Sequence, residues 1–318
     1  MKRFLSFFSV LLLAVAAQAA PAFTLVAIPD IQNETQFHPE MLQSQVDWIV
    51  SNRTSQNIKF VAQQGDLTNN ATVGEFTTAN NKLFQLLTAA PGLPWGVLPG
   101  NHDFGNIANY DTYFGPTNFS GQSWYGGSYS HSSYQTFQAG SRNFLMLDVE
   151  MSPNASVLNW AQGIIAANPG KPTIINTHDY IAYGNARSPT GDTIFNALAY
   201  NNRQVFMVLC GHNHTVWNQT SPDAAGQPVF ENLADYQDTN SGNGYLRLYN
   251  FDEANSAIHV TSYSPYDQTF LTDSANQFTI PMNFNDRLGV VPEPSTISLA
   301  LAGLVGLVLA AYRRKRVG

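Results

Sequence analysis

The order of the chain predicts an α/β fold built on a sheet that is at least partly parallel. Three observations predict it. Short apolar, β-rich runs alternate with stretches of helical periodicity, the early runs end in polar clusters, and turn-separated strands take over towards the end. The first run, Phe23–Ile28, leads into Asp30-Ile31-Gln32. Met41–Val50 follows, with Met41, Leu42, Val46, Ile49 and Val50 at helical spacing. Ile58–Ala62 leads into Gly65-Asp66, and Phe76–Leu87 is the next helical stretch. Trp95–Leu98 leads into Gly100-Asn101-His102-Asp103. After the helical stretch Val157–Ala166, Thr173–Ile175 leads into His178-Asp179. After the helical stretch Ile194–Tyr200, Val205–Leu209 leads into Gly211-His212-Asn213-His214. Continuous apolar runs of this length suit strands buried on both faces. Beyond Gly211, Val229–Leu233, Gly244–Phe251 and Ala257–Tyr263 read as strands at hairpin spacing, so the second half should be more antiparallel. No internal repeat or long linker interrupts residues 20–290, which read as one domain.

Composition bounds what such a domain does. The 318 residues carry Lys+Arg 15 against Asp+Glu 22, a formal net charge of -7, with 44% hydrophobic residues and one cysteine. The length is ample for a real core, and the hydrophobic share excludes an intrinsically disordered chain. One cysteine excludes an intrachain disulfide framework and a Cys-rich zinc or iron–sulfur site. The acidic balance argues against binding to a nucleic-acid backbone, which needs clustered Lys and Arg.

In an open α/β sheet, ligands bind outside the carboxyl ends of the strands, where all five polar clusters fall. Their carboxylates, amides and imidazoles are the ligand set of a first-row divalent metal. Four of the seven histidines, His102, His178, His212 and His214, lie inside the clusters. In order, the clusters resemble the calcineurin-like metallophosphoesterase pattern of Asp-x-His, Gly-Asp, Gly-Asn-His-Asp/Glu, His and Gly-His-x-His. The resemblance covers residues 23–214 and implies a metallo-dependent phosphatase-like sandwich of two mixed sheets flanked by helices, in α/β/β/α layers. It also implies two divalent metal ions (Mn, Fe, Zn, Mg or Ca), bridged by Asp66. Asp30, Gln32 and His214 would complete the first position, and Asn101, His178 and His212 the second. A hydroxide held between the ions would attack the phosphorus of a phosphomono- or phosphodiester substrate. His102 would stabilise or protonate the leaving group, and Asp103 would hold the His102 ring in its tautomer.

Two positions depart from the pattern. Gln32 stands where the family most often has His, although a Gln variant occurs within it. An amide oxygen is a harder and usually weaker ligand than imidazole, so the first position should bind loosely and favour manganese, magnesium or calcium over zinc. Asn69 stands where purple acid phosphatases, a sibling branch, need a tyrosine ligand. Gly65-Asp66-Leu67-Thr68 resembles instead the branch that holds cyclic-nucleotide and other phosphodiesterases.

The two ends read as addresses. Lys2 and Arg3, the apolar run Phe4–Ala16 and Ala17-Gln18-Ala19 make residues 1–19 a secretory signal; an uncleaved anchor is the alternative. At the other end, Val291-Pro292-Glu293-Pro294 precedes apolar Ile297–Tyr312 and the basic Arg313-Arg314-Lys315-Arg316. Residues 291–318 resemble the PEP-CTERM sorting signal of bacteria, which implies an exosortase-type processing enzyme, transient anchoring through a short transmembrane helix, and delivery to the cell surface or extracellular matrix. A permanent single-span anchor is the alternative, and both place the domain outside the cytoplasm. Without Lys2, Arg3, Glu293 and the terminal basic run, Lys+Arg 15 falls to 9 and Asp+Glu 22 to 21, so the domain carries about -12.

Other features point less sharply. His38, His131 and His259 match no motif and read as surface or structural residues. Cys210 ends an apolar run and reads as a buried, inert thiol. Trp124-Tyr125-Gly126-Gly127-Ser128-Tyr129 reads either as a cap on the core or as a substrate rim within the loop Phe104–Ser133. Gly242-Asn243-Gly244 reads as a hairpin turn. Arg142, Arg187, Arg203 and Arg247 are the candidates for gripping a phosphorylated substrate. The alternative to an enzyme is a non-catalytic, exopolysaccharide-associated binding protein on the same scaffold.

Overall fold

The computed structural model describes residues 21–289. The secretory signal and the sorting segment read from the sequence lie outside the described residues. In chain order the strands are β1 (Phe23–Ile28), β2 (Ile58–Gln63), β3 (Trp95–Gly96), β4 (Tyr125–Tyr129), β5 (Ser132–Ala139), β6 (Arg142–Val149), β7 (Thr173–Thr177), β8 (Ile181–Ala182), β9 (Ala186–Arg187), β10 (Val205–Cys210), β11 (Val216–Pro222), β12 (Pro228–Ala234), β13 (Leu246–Asp252), β14 (Ala257–Ser264), β15 (Thr269–Leu271) and β16 (Phe278–Pro281). The α-helices are α1 (Gln32–Phe37), α2 (Pro39–Asn52), α3 (Val73–Leu83), α4 (Gln85–Thr88), α5 (Ile107–Phe114), α6 (Ala155–Ala167), α7 (Pro189–Ile194) and α8 (Phe284–Leu288).

Two mixed sheets carry the fold. One runs β15-β14-β13-β1-β2-β3, with β16 also paired to β14, and the other runs β11-β12-β10-β7-β6-β5-β4. β1, β2 and β3 are parallel, and β13 joins β1 antiparallel. In the second sheet β6, β7, β10 and β12 are parallel, while β5 and β11 run against their neighbours. The antiparallel second half expected from the sequence therefore holds for β13 onwards, but β12 lies parallel to β10.

Side-chain alternation builds the layers. Phe23, Leu25 and Ala27 of β1 face the other sheet and pack with Phe144, Met146, Phe206 and Leu209. Val26 and Ile28 face the opposite way, against Leu42, Val46 and Ile49 of α2 and Phe76 of α3. The outer face of the second sheet packs Leu145, Ile175 and Val208 on Ala161 and Ile165 of α6. Burial on both faces explains why these strands read as unbroken apolar runs. The result is the expected α/β/β/α arrangement.

Several elements differ in extent from the sequence reading. The helix expected over Phe76–Leu87 is two, α3 and α4, broken at Phe84. α3 starts earlier because Thr72 and Glu75 form a reciprocal capping box. β3 is only Trp95–Gly96, since Pro94 and Pro99 on either side lack the N–H that a longer strand needs. Trp124 is buried in the core and Tyr125 stacks on Phe119 at 5.7 Å, so this aromatic stretch caps the core and then forms β4. Among the described residues, no helix is long and apolar enough to cross a membrane.

Candidate metal centre

The parallel strands of both sheets deliver their polar clusters to one place. Asp30 follows β1, Asp66 follows β2, Asn101 and His102 follow β3, His178 follows β7, and His212 and His214 follow β10. The two sheets are tied together there by direct contacts. The His212 N–H donates to Asp30 Oδ2 at 3.0 Å, and His178 Nδ1 lies 2.9 Å from the Gln64 carbonyl. Three glycines make the approach feasible. A Cβ at Gly100 would lie 2.1 Å from Asp66 Oδ1, one at Gly211 1.9 Å from Asp30 Oδ1, and one at Gly65 2.6 Å from His178 Nδ1. Asp66 and His212 themselves adopt left-handed backbone, with φ of 49° and 75°, which places strain at the site.

Ligand atoms of Asp66, His178 and His212 all fall within 4.8 Å of one another. Asn101 joins them, with Oδ1 3.0 Å from His178 Nε2, which is also 3.4 Å from Asp66 Oδ2. Donation of His178 Nδ1–H to the Gln64 carbonyl directs Nε2 into the centre, the arrangement that metal-bound histidines use. On the other side of Asp66, Gln32 Nε2 donates to Asp66 Oδ2 at 3.2 Å. Gln32 Oε1 and Asp30 Oδ1 are buried without any hydrogen-bond partner. Two orphaned acceptors beside a shared carboxylate are costly unless a cation satisfies them, so these residues fit a metal position. The two ends of the Gln32 amide have the same shape, and exchanging them would turn Oε1 towards Asp66.

His214 is not drawn into this group. Its Nδ1 lies 2.9 Å from Asp238 Oδ1, its Nε2 4.0 Å from Asp235 Oδ2, and its N–H donates to the Tyr183 hydroxyl at 2.9 Å. Asp235 and Gln237 follow β12 and were not anticipated. The Gln237 amide reaches Asp30 Oδ2 at 3.5 Å and Asp235 Oδ2 at 3.4 Å. The signal that could have found them is the rule that found the others, because β12 is a parallel strand whose carboxyl end opens on the same edge.

The expected contact between Asp103 and the His102 ring is not made. The ring is held by its Nδ1, 2.8 Å from the Asn69 carbonyl, and Nε2 points towards Asp66 Oδ2 at 4.0 Å. Asp103 lies buried beneath, where it accepts from the N–H groups of Leu67, Thr68 and Gly100 and from the Thr68 hydroxyl. It fastens the two ligand-bearing loops to each other instead of orienting the ring.

Electrostatics follow from burial and from the crowding of carboxylates. Burial, then the neighbouring Asp235, push Asp30 well above the ordinary carboxylate range, against the pull of His178. Burial also acts to raise Asp66, but His178 and the His102 N–H outweigh it and hold Asp66 low. Burial disfavours a charge on His178, yet Asp66 and Asp30 lift it to about 10. Burial, then His178, depress His212. Two buried carboxylates thus draw positive charge onto His178, the electrostatic demand that a divalent cation would meet. The Cys210 thiol is raised by burial, as an inert core thiol should be. The four candidate arginines have other partners: Arg187 with Glu231, Arg142 with Asn285 and the Gly289 carbonyl, Arg203 with the Asp286 carbonyl, and Arg247 buried against the Leu233 and Ala275 carbonyls.

Residues 23–216 match the calcineurin-like phosphoesterase family, and residues 290–316 match the PEP-CTERM protein-sorting motif. The chain is 31% identical over 290 residues to the uncharacterized protein YvnB of Bacillus subtilis (strain 168), which covers 85% of this chain and 22% of that protein. It therefore spans about a fifth of the length of that relative. Among solved structures it is similar to a dimetal phosphatase from Danio rerio, with a TM-score of 0.54 and 13% identity, covering 81% of this chain and 98% of that one. It is also similar to GAP50, the anchor in the inner membrane complex of Plasmodium, with a TM-score of 0.55 and 10% identity, covering 86% of this chain and 98% of that one. At such identities the likeness is one of fold.

Proposed function

The chain belongs to the calcineurin-like phosphoesterase family and carries a PEP-CTERM sorting motif, and from these premises we propose that it is an exported phosphoesterase that works with two divalent metal ions. The observation that carries the reading is the convergence of Asp30, Gln32, Asp66, Asn101, His178 and His212 around buried acceptors with no partner of their own. Asp66 would serve both positions, since its Oδ2 lies 3.2 Å from the Gln32 amide and 3.4 Å from His178 Nε2. Asp30 and Gln32 belong to the first position, with His214 once it leaves Asp238. Asn101, His178 and His212 belong to the second. When bound, the ions would supply an activated water and neutralise the phosphoryl oxygens.

The remaining chemistry belongs to the protein. Bonded through Nδ1 to Asn69, the half-exposed His102 ring directs Nε2 towards the centre, 4.0 Å from Asp66 Oδ2, where it would give a proton to a departing oxygen. Asp103 and Thr68 keep the loops that carry Asp66 and His102 in register. Residues 1–19 would export the domain, and an exosortase-type enzyme would process residues 291–318 after transient anchoring.

The test is release of nitrophenol from chromogenic phosphoesters with added manganese. Turnover should appear with metal, fall about 10²–10⁴-fold in His102→Ala, and vanish in Asp66→Asn. No turnover with any divalent metal, in protein of verified metal content, would sink the proposal. A second reading, a surface-binding protein on the same scaffold, draws support from the sorting motif and from the fold shared with the GAP50 anchor. Inactive protein without bound metal that adheres to exopolysaccharide would favour it.

A further inference from the structure

The topology separates charge by face. In each parallel strand–helix–strand unit the chain leaves the carboxyl edge of the sheet and returns at the amino edge. The cations follow that second half of the circuit. Arg53 caps the end of α2, Lys82 ends α3, Lys59 sits near the start of β2, Lys171 just before β7, Arg203 just before β10, and Arg142 opens β6. Arg287 closes on the Arg203, Val205 and Pro228 carbonyls at the same amino edge. Arg247 is buried, and Arg187 is held by both carboxylate oxygens of Glu231. These are all nine Lys and Arg of the described residues. The carboxyl edge, by contrast, gathers Asp179, Asp235 and Asp238 beside His212 and His214.

Aromatic side chains stand at that edge where cations do not. Tyr183, on the turn between β8 and β9, is 65% exposed while its hydroxyl accepts from the His214 N–H. Phe104, two residues beyond His102, is 40% exposed and meets the His131 ring edge-on at 5.8 Å. Both are large apolar surfaces held beside ligand-bearing segments, in a position to pack on a flat group.

We propose that the substrate is a monoanionic phosphodiester with a flat, apolar ester group, admitted at a mouth that lacks free cationic side chains and is rimmed by Tyr183 and Phe104. The inference rests on the phosphoesterase reading above and narrows it. A phosphomonoester at neutral pH brings a second negative charge into a mouth lined by carboxylates, with no free Arg or Lys among the described residues to receive it. A diester brings one. Hydrolysis adds a water oxygen to phosphorus, breaks one phosphorus–oxygen ester bond and places a proton on the departing oxygen. The products are an alcohol and a monoester, and the dianionic monoester is then expelled. Each diester should therefore be cut once.

The experiment compares bis(p-nitrophenyl) phosphate with p-nitrophenyl phosphate on the full chain loaded with manganese, and measures the binding of diphenyl and phenyl phosphate by calorimetry. The diester should be favoured at least about tenfold in kcat/KM and release one nitrophenol per molecule, and added salt should narrow the gap by screening the repulsion of the dianion. Preference for the monoester, or release of both nitrophenols at similar rates, overturns the inference. If neither compound turns over, the phosphoesterase reading fails instead, and tighter binding of phenyl than of diphenyl phosphate then overturns this one independently. Tyr183→Ala and Phe104→Ala should each raise KM for the diester several-fold. Unchanged KM in both alanine variants removes the aromatic rim from the proposal.

Discussion

Asp235 is buried beside the proposed first metal position, with Oδ2 4.0 Å from His214 Nε2 and the Gln237 amide between it and Asp30. Because an amide oxygen would be a weaker ligand than the imidazole it replaces, a carboxylate at Asp235 would help hold a cation there. Asp235→Asn should weaken the looser of two manganese-binding events about 10–100-fold, the range found when groups that support metal ligands are removed. Gln32→His should strengthen the same event, and calorimetric titration reads both. An unchanged titration in Gln32→His would show that the side chain is not a ligand. Residue by residue, the candidate ligands were legible because each follows a strand. The role of Asp103 was not, since adjacency in sequence suggested the His102 ring while the buried N–H groups of Leu67, Thr68 and Gly100 claim its carboxylate first. Nor could the sequence show that Asn69, marked only as the place where a tyrosine is missing, orients His102 through its carbonyl.

At the scale of elements, the β4–β5–β6 meander was the least legible part. β4 is Tyr-Gly-Gly-Ser-Tyr, whose glycines read as loop, and its strand character comes only from pairing with β5. The close approach of β3 to β6 was equally hidden. A Cβ at Gly96 would lie 2.2 Å from Asp148 Oδ2, so only glycine lets the edge strand pass that buried carboxylate. Asp148 accepts from Asn176 at 2.8 Å and from Ser133 at 3.3 Å. Burial dominates these contacts and raises Asp148 to about 7. A carboxyl raised on folding favours the native state most when protonated. Its contribution is complete below about pH 4 and is lost as pH climbs through about 7, a change on the order of 4 kcal/mol if nothing relaxes. Asp148→Asn should flatten that part of the stability curve and leave the variant more stable than the parent at pH 8, measured by urea unfolding across pH. A pH-dependent stability that is the same in parent and variant would show that Asp148 is not the group responsible.

Over the whole molecule, the centre lies at one edge of the two packed sheets, where both contribute polar groups. Their shared core is apolar, built from β1 and β2 on one side and β6, β7 and β10 on the other. At the carboxyl edge that core gives way to buried carboxylates, Asp30 and Asp66, whose mutual repulsion is offset by His178 and the His212 N–H. Asp30, Asp66 and Asn101 come from the first sheet, and His178 and His212 from the second. A cation held by both sets is a crosslink as well as a cofactor. An ion at a hundred times its dissociation constant stabilises the native state by about 2.7 kcal/mol. For a domain of this size that corresponds to roughly 5–10 °C in Tm per ion. Chelation of the manganese-loaded protein should therefore lower Tm by at least that amount, and readdition of the metal should restore it. Asp66→Asn, which removes the carboxylate proposed to serve both positions, should abolish the metal-dependent part of Tm. A Tm indifferent to chelation would mean that the edge is closed by the protein alone.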